Sequence, residues 1–97
     1  MSTEARAAAG YNLRLLQQGE TLSMPMSRPM PTVGAGCHEL RIGDIEQNVE
    51  WRLMYFVDDV AIVILEIWKN KTRRTPQPII DACKARLSRY LERKNNR

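Results

Sequence analysis

VEWRLMYFV, residues 49–57, alternates between two sets of side chains with a period of two. Trp51, Leu53 and Tyr55 share one face, whereas Glu50 and Arg52 lie on the other. Alternation of this kind is typical of a β-strand whose two faces meet different surroundings. We therefore predict a strand over residues 49–57 and expect Glu50 and Arg52 to face solvent.

Two neighbouring segments predict the rest of a sheet. Residues 38–42, HELRI, alternate in the same way, and residues 43–48 supply a turn. After a tight reversal at residues 58–59, residues 60–65 are apolar on both faces, which is typical of a central strand. These segments predict a three-stranded antiparallel meander.

A helix is predicted on each side of this sheet in the sequence. Residues 2–18 show apolar side chains at helical spacing, although Gly10 weakens the middle, so that a helix pair is the alternative. The pair Thr75-Pro76 begins a second, amphipathic helix that presents cations outward. We therefore predict an α+β fold in one domain over residues 1–97, with an N-terminal helix or helix pair and a C-terminal helix packed on the sheet.

Charge is distributed unevenly along the chain. Residues 1–68 hold five basic and nine acidic side chains, whereas residues 69–97 hold ten basic and two acidic ones, a net charge of +8. A basic segment of this kind indicates a polyanionic partner or an acidic protein that masks it. The longest apolar run, residues 60–65, is far shorter than the roughly 20 residues of a membrane span. We expect a soluble, cytoplasmic protein with no membrane partner.

The chain lacks the residues that most types of catalytic site require. One histidine and the two distant cysteines, Cys37 and Cys83, do not match a zinc site, and no glycine-rich phosphate loop or nucleophile elbow occurs. We expect no metal, no cofactor and two reduced thiols. His38 shares its face with Leu40 and Ile42, so we interpret it as a structural histidine rather than a base.

Basic side chains are therefore the main candidates for chemistry. The run from Lys69 to Arg74 lies between the last predicted strand and the second helix, where loop residues can reach a ligand while the scaffold stays rigid. Cations there would bind phosphates and offset charge that develops at an attacked phosphodiester. A solvated basic linker is the alternative interpretation of this run.

Four motifs occur in the order and spacing of a known family. From about residue 5 to residue 91 the chain resembles the phage-related RelE/HigB-like toxins. The motifs are a strand that contains E-L-R, a strand with W-R-x-x-Y, a strand that leads into K-N-K-T, and T-P before a helix, at residues 39–41, 51–55, 69–72 and 75–76.

This resemblance implies a function and a set of partners. It implies a toxin of a toxin–antitoxin system, an endoribonuclease that cleaves mRNA on the ribosome and is inhibited by an antitoxin of helix-turn-helix type. Cleavage would proceed by attack of a ribose 2′-hydroxyl on the adjacent phosphate, with the protein contributing position and charge. Arg41, Arg52, Lys69 and Lys71 match the family's basic positions, and Arg73 and Arg74 extend this patch. We expect Arg52, Lys69 and Lys71 to be catalytic, and we expect RNA binding by Arg41, Arg73 and Arg74 and by Arg86 and Arg89 of the terminal helix.

These basic residues are expected to divide into two groups. Arg52 on its strand, with Lys69 and Lys71 on the following loop, would converge on one phosphate, so their loss would abolish cleavage. Arg86 and Arg89 on the terminal helix would follow a longer stretch of RNA and mainly set affinity and its salt dependence.

Two departures from the family pattern leave a second interpretation open. Members usually begin with a strand ahead of the first helix, and without it the sheet would have an exposed edge that invites a homodimer or antitoxin pairing. The stretch Glu66-Ile67-Trp68 also differs from the usual residues before the lysines. A catalytically inactive phage-derived protein that still binds an antitoxin is therefore the alternative. A DNA-binding regulator is less favoured, because no helix-turn-helix pair is evident.

Overall fold

The computed structural model of the chain describes residues 1–96. Two helices enclose a sheet of four strands, which confirms the expected α+β class. In chain order, the elements are α1 (Thr3–Gln17), β1 (Ser27–Pro29), β2 (Cys37–Asp44), β3 (Val49–Val57), β4 (Ile62–Asn70) and α2 (Gln77–Asn95). None of the helices in residues 1–96 is long and apolar enough to cross a bilayer.

The sheet has the order β1-β2-β3-β4 with every neighbouring pair antiparallel. The strand predicted over residues 49–57 is confirmed at both ends as β3. The expected count of three strands was wrong, because Ser27 to Pro29 pair with β2, Arg28 opposite Glu39. A strand of three residues is too short to show a period of two, so pattern analysis assigned it to the proline-rich connection.

The position predicted for the last strand was also wrong. β4 lies at the end of the sheet, paired only with β3 among residues 1–96, and is not a central strand. Leu65 is buried beneath α2, but Ile64 and Ile67 are 47% and 42% exposed. The apolar composition of residues 60–65 predicted a central strand. Composition shows which side chains favour burial, but it does not show whether other segments of the chain cover them.

Each face of the sheet carries one helix and one core. Ala5, Ala9 and Leu16 of α1 pack against Leu40 and Leu53 on one face. Because this stripe extends over both halves of α1, the helix is continuous through Gly10, and the alternative of a helix pair is wrong. On the other face α2 inserts Cys83 and Leu87 against β-strand residues that include Met54 and Leu65.

Asp44, at the end of β2, attaches the start of α1 to the sheet. Its Oδ2 accepts a hydrogen bond from the Ser2 backbone N–H at 2.8 Å and from Trp51 Nε1 at 3.1 Å, and its Oδ1 accepts from the Gln47 N–H at 3.2 Å. The Ser2 hydroxyl in turn accepts from the Ala5 N–H and caps the helix. Burial tends to raise the pKa of Asp44, but the hydrogen bonds from Ser2, Gln47 and Trp51 outweigh it and hold the pKa at about 2.

These contacts make Asp44 a source of acid sensitivity. Its pKa is lower in the folded chain than the value of about 4 of a free aspartate, so its contribution to stability is complete above pH ~4 and is lost as the pH falls towards 2. We expect Asp44→Asn to lower the urea midpoint at neutral pH, and we expect its difference from wild type to shrink between pH 4 and pH 2. Glu46→Gln, an exposed position in the same turn, should match wild type. A difference for Asp44→Asn that does not change with pH would refute this role.

Candidate functional site

A polar cleft of about 580 Å³ opens where the chain leaves β4. It collects side chains from β1, β2, β3 and the loop after β4, which are distant in sequence. Five of the eight lining residues are basic and one is acidic. The lining residues are Arg28, Arg41, Glu50, Arg52, Asn70, Lys71, Thr72 and Arg73.

Two arginines face each other across neighbouring strands in this cleft. Arg41 on β2 is directly opposite Arg52 on β3 in the sheet register. Like charges in this position repel, and Glu50 lies near both, with its Oε1 3.7 Å from Arg41 Nε and 3.3 Å from Arg52 Nε. The pairing of strands thus brings positive charge together, and one carboxylate limits the repulsion.

Arg52 is buried, so the expectation that it faces solvent was wrong. It is 3% exposed, and its Nη1 donates to Oε1 of Glu39, which is fully buried. Glu39 also accepts from Arg28, whose Nη2 lies 3.1 Å from Oε1, and from the hydroxyl of Thr75. Alternation correctly placed Arg52 on the face opposite Trp51, but it could not show that α2 and its preceding loop cover that face.

Lys69 does not join the other two residues predicted as catalytic. Its ammonium lies 5.4 Å from the centroid of the Trp51 ring, on the α1 side of the sheet, whereas Arg52 lies on the α2 side. Lys71 does line the cleft. It follows the last residue of β4, so its side chain need not point to the same face of the sheet as that of Lys69. The expected convergence of three residues on one phosphate is therefore reduced to Arg52 and Lys71.

The model of the family described as Phage derived protein Gp49-like (DUF891) matches residues 1–88. The chain belongs to this family. The match covers α1, all four strands and every residue that lines the cleft. A search of curated proteins found no match.

The RNA-binding residues expected in the Gp49-like protein are spread over separate surfaces. Arg41 and Arg73 line the cleft, whereas Arg74 is exposed outside it. Arg86 and Arg89 lie on α2 beside residues 63–65 of β4, in a second groove. Since β4 reaches the cleft only at Asn70, the groove and the cleft are about 20 Å apart along the strand.

Arg28 is the cleft residue that sequence analysis missed. The segment Ser27-Arg28-Pro29 precedes the E-L-R strand, but without a period it was not interpreted as part of the sheet. In the Gp49-like protein, pairing of β1 with β2 sets Arg28 opposite Glu39 and at the wall of the cleft. The available signal for Arg28 was its position in the segment before the E-L-R strand. Only the pairing of β1 with β2 shows that its partner is Glu39.

His38 and the two thiols lie outside the cleft. His38 stacks on Tyr55 with ring centroids 5.3 Å apart, and burial lowers its pKa. Cys37 and Cys83 are free and buried, and burial raises the pKa of both thiols, that of Cys83 to about 11. A thiol with a raised pKa is a poor nucleophile, so these cysteines act as small core residues.

The buried ion pair between Arg52 and Glu39 predicts that substitution of Arg52 destabilises the fold, whereas loss of an exposed catalytic cation would leave stability nearly unchanged. Arg52→Ala leaves Glu39 buried without its closest cation, and breaking a buried pair in this way costs about 3–5 kcal/mol. We expect urea unfolding to show a loss of this size, and we expect Glu39→Leu with Arg52→Met to lose less than the sum of the two single substitutions. Arg41→Ala is the matched control, because this arginine is opposite Arg52 but exposed. A change for Arg52→Ala no larger than that for Arg41→Ala would contradict the role of the pair.

Proposed function

We propose that this Gp49-like protein is the toxin of a toxin–antitoxin system, an endoribonuclease of the RelE/HigB type that cleaves mRNA on the ribosome. The observation that carries the proposal is the cleft, where five basic residues and one carboxylate, Glu50, form the lining while a second carboxylate, Glu39, binds two of the arginines from below. The five basic residues are Arg28, Arg41, Arg52, Lys71 and Arg73. Membership of a phage-derived family and the motifs in register with the RelE/HigB-like toxins support it. The proposed partners are mRNA, the ribosome and an antitoxin of helix-turn-helix type.

The shape of the cleft suits a phosphodiester. Arg52 forms a rigid floor, because Glu39 holds it from below. Its Nε is buried, makes no hydrogen bond within residues 1–96 and lies 3.3 Å from Oε1 of Glu50, so Glu50 would have to shift for a phosphate oxygen to reach it. Lys71 and Arg73 are exposed on the rim, where they can close on a bound anion. A fixed cation below and exposed cations above can hold a phosphate and offset the charge that grows on it during attack.

The proposed chemistry relies on position and charge. The ribose 2′-oxygen forms a bond to the neighbouring phosphorus as the P–O5′ bond breaks, which leaves a 2′,3′-cyclic phosphate and a 5′-oxygen that takes a proton from water, and the cations offset the charge on the non-bridging oxygens. Histidine takes no part, because His38 lies on the α1 side of the sheet. Glu50 is the only carboxylate among the lining residues, where it pairs with Arg41 and Arg52, and we propose it as the acceptor of the 2′-hydroxyl proton.

Induced expression without the antitoxin tests the function directly. We expect growth arrest within one or two generations, together with new mRNA 5′ ends in translating cells mapped by sequencing. The purified protein should cut mRNA on stalled ribosomes. Normal growth and intact mRNA at verified expression of folded protein would refute the proposal.

Lys71 and Lys69 form a matched pair for testing the cleft. They are two residues apart and carry the same charge, but only Lys71 lines the cleft. We expect Lys71→Ala to lower the cleavage rate by about 10- to 100-fold, because a cation beside the scissile phosphate is lost. Lys69→Ala should cleave at nearly the wild-type rate. Equal losses for both variants would show that the loop acts only as a diffuse basic surface.

A second candidate function is a catalytically inactive protein that still binds an antitoxin. It is favoured by Glu39, which partly neutralises the two arginines at the base of the cleft, Arg28 and Arg52. Glu66, in the stretch that departs from the family pattern, is also occupied, since it pairs with Arg86 at 2.8 Å. Tight antitoxin binding by a protein that leaves ribosome-bound mRNA intact would establish this candidate over the first.

A further inference from the structure

β4 presents one free edge to its surroundings. Its residues pair with β3 on one side, and on the other side no strand of residues 1–96 lies beside it. A free edge displays backbone N–H and C=O groups that another extended chain can bind. Proteins commonly protect such edges with lysines, prolines, β-bulges or short strands. Residues 62–67 of β4 contain no lysine or proline and β4 is nine residues long, but its register with β3 shifts at Leu65. The Leu65 carbonyl accepts from Arg86 and the Ile67 N–H donates to the Glu66 side chain, so an added strand would exchange these two side-chain bonds for backbone ones.

A basic groove runs along this edge, between β4 and α2. It has a volume of about 300 Å³ and contains residues 63–65 on one wall and three arginines of α2 on the other. These arginines, Arg86, Arg89 and Arg93, lie on one side of the helix because they are three and four residues apart. Arg86 is already engaged, since its Nη1 donates to the Leu65 carbonyl at 2.6 Å and to Glu66 at 2.8 Å.

The other two arginines have no acidic partner in the described chain. Arg89 and Arg93 are both exposed, and no carboxylate of residues 1–96 forms an ion pair with either. They are one helical turn apart, about 6 Å along the axis. Side chains on the same face of a β-strand are spaced at about 6.8 Å, so successive acidic residues on one face of a strand would meet both arginines.

The opposite side of the same edge is apolar. Ile64 and Ile67 project towards the α1 face, where α1 does not cover them, and are 47% and 42% exposed. A strand laid on this edge would therefore meet arginines on one face and isoleucines on the other. Alternating acidic and apolar side chains satisfy both faces, because successive residues of a strand point to opposite sides.

We propose that the β4 edge and the arginines of α2 form a docking site for an extended acidic segment of a partner protein, which adds a fifth strand to the sheet. This proposal does not depend on ribonuclease activity, because the groove is separate from the cleft. RNA fits less well, since it has no polypeptide backbone that could continue the hydrogen-bond ladder of the sheet at this edge. A second copy of the chain also fits less well, because antiparallel pairing of two β4 edges would bring two sets of α2 arginines together.

The test uses the full-length protein and a synthetic peptide of eight residues that alternates valine and glutamate, with blocked ends. Backbone amide shifts and hydrogen exchange followed by NMR should locate binding at residues 62–67 of β4 and on the Arg89 side of α2. A peptide that alternates valine and lysine should not bind. Shifts outside this groove, or no binding by the glutamate peptide at millimolar concentration, would overturn the proposal.

Two controls separate strand addition from simple charge attraction. Arg89→Glu with Arg93→Glu should weaken the peptide affinity by about tenfold or more, whereas Arg73→Glu in the cleft should leave it unchanged. A peptide with N-methyl groups on alternate amides keeps its charge but loses the donors that face β4, and it should not bind. Equal affinity of the methylated and unmethylated peptides would overturn strand addition.

The same measurements distinguish an acidic peptide from the two other possible occupants of the β4 edge, RNA and a second copy of the chain. Binding of an oligouridylate at residues 62–67 that is lost in the double Arg89/Arg93 variant, without binding of the acidic peptide, would overturn the proposal in favour of RNA. Shifts at these residues that grow with protein concentration in the absence of peptide would assign the edge to a second copy. Growth arrest in the toxicity assay has no bearing on these outcomes, so the two proposals can fail separately.

Discussion

The carboxylate of Glu39 is fully buried, and its hydrogen-bonding capacity is met by side chains from three other segments of the chain. It comes from β2 and binds Arg28 of β1, Arg52 of β3 and Thr75 ahead of α2. Because an unpaired buried charge is costly, all four segments are constrained to one arrangement. The short first strand, the register of β2 with β3 and the entry into α2 therefore depend on a single side chain.

The binding of Arg28 and Arg52 by Glu39 also determines how positive charge is arranged in the cleft. Without Glu39, two guanidinium groups at the base of the cleft would repel each other and Arg41. With it, the floor is fixed, and the loop after β4 supplies the exposed cations Lys71 and Arg73. Arg52 thus belongs both to the buried ion pair and to the lining of the cleft.

The two ends of β4 face different chemistry. At Asn70 the strand delivers the chain into the cleft, where charge and polar groups dominate. Near residues 63–65 it forms a free edge beside the arginines of α2, and isoleucines are exposed on its other face. One strand therefore connects a surface suited to phosphate with a surface suited to polypeptide, about 20 Å apart.

The sequence by itself determined the α+β class, the extent of β3, both helices and the basic loop. These features depend on local periodicity and, at the start of α1, on the Ser2 cap, which act over a few positions. Only the tertiary structure decided which segments cover each face of the sheet and which residues pair with each charge. Arg52 is buried against Glu39, and Lys69 lies on the α1 side of the sheet. Arg28 joins the cleft through β1, and β4 lies at an edge of the sheet. Alternation divides a strand into two faces, but what packs on a face depends on segments far away in the chain, and no local pattern records them.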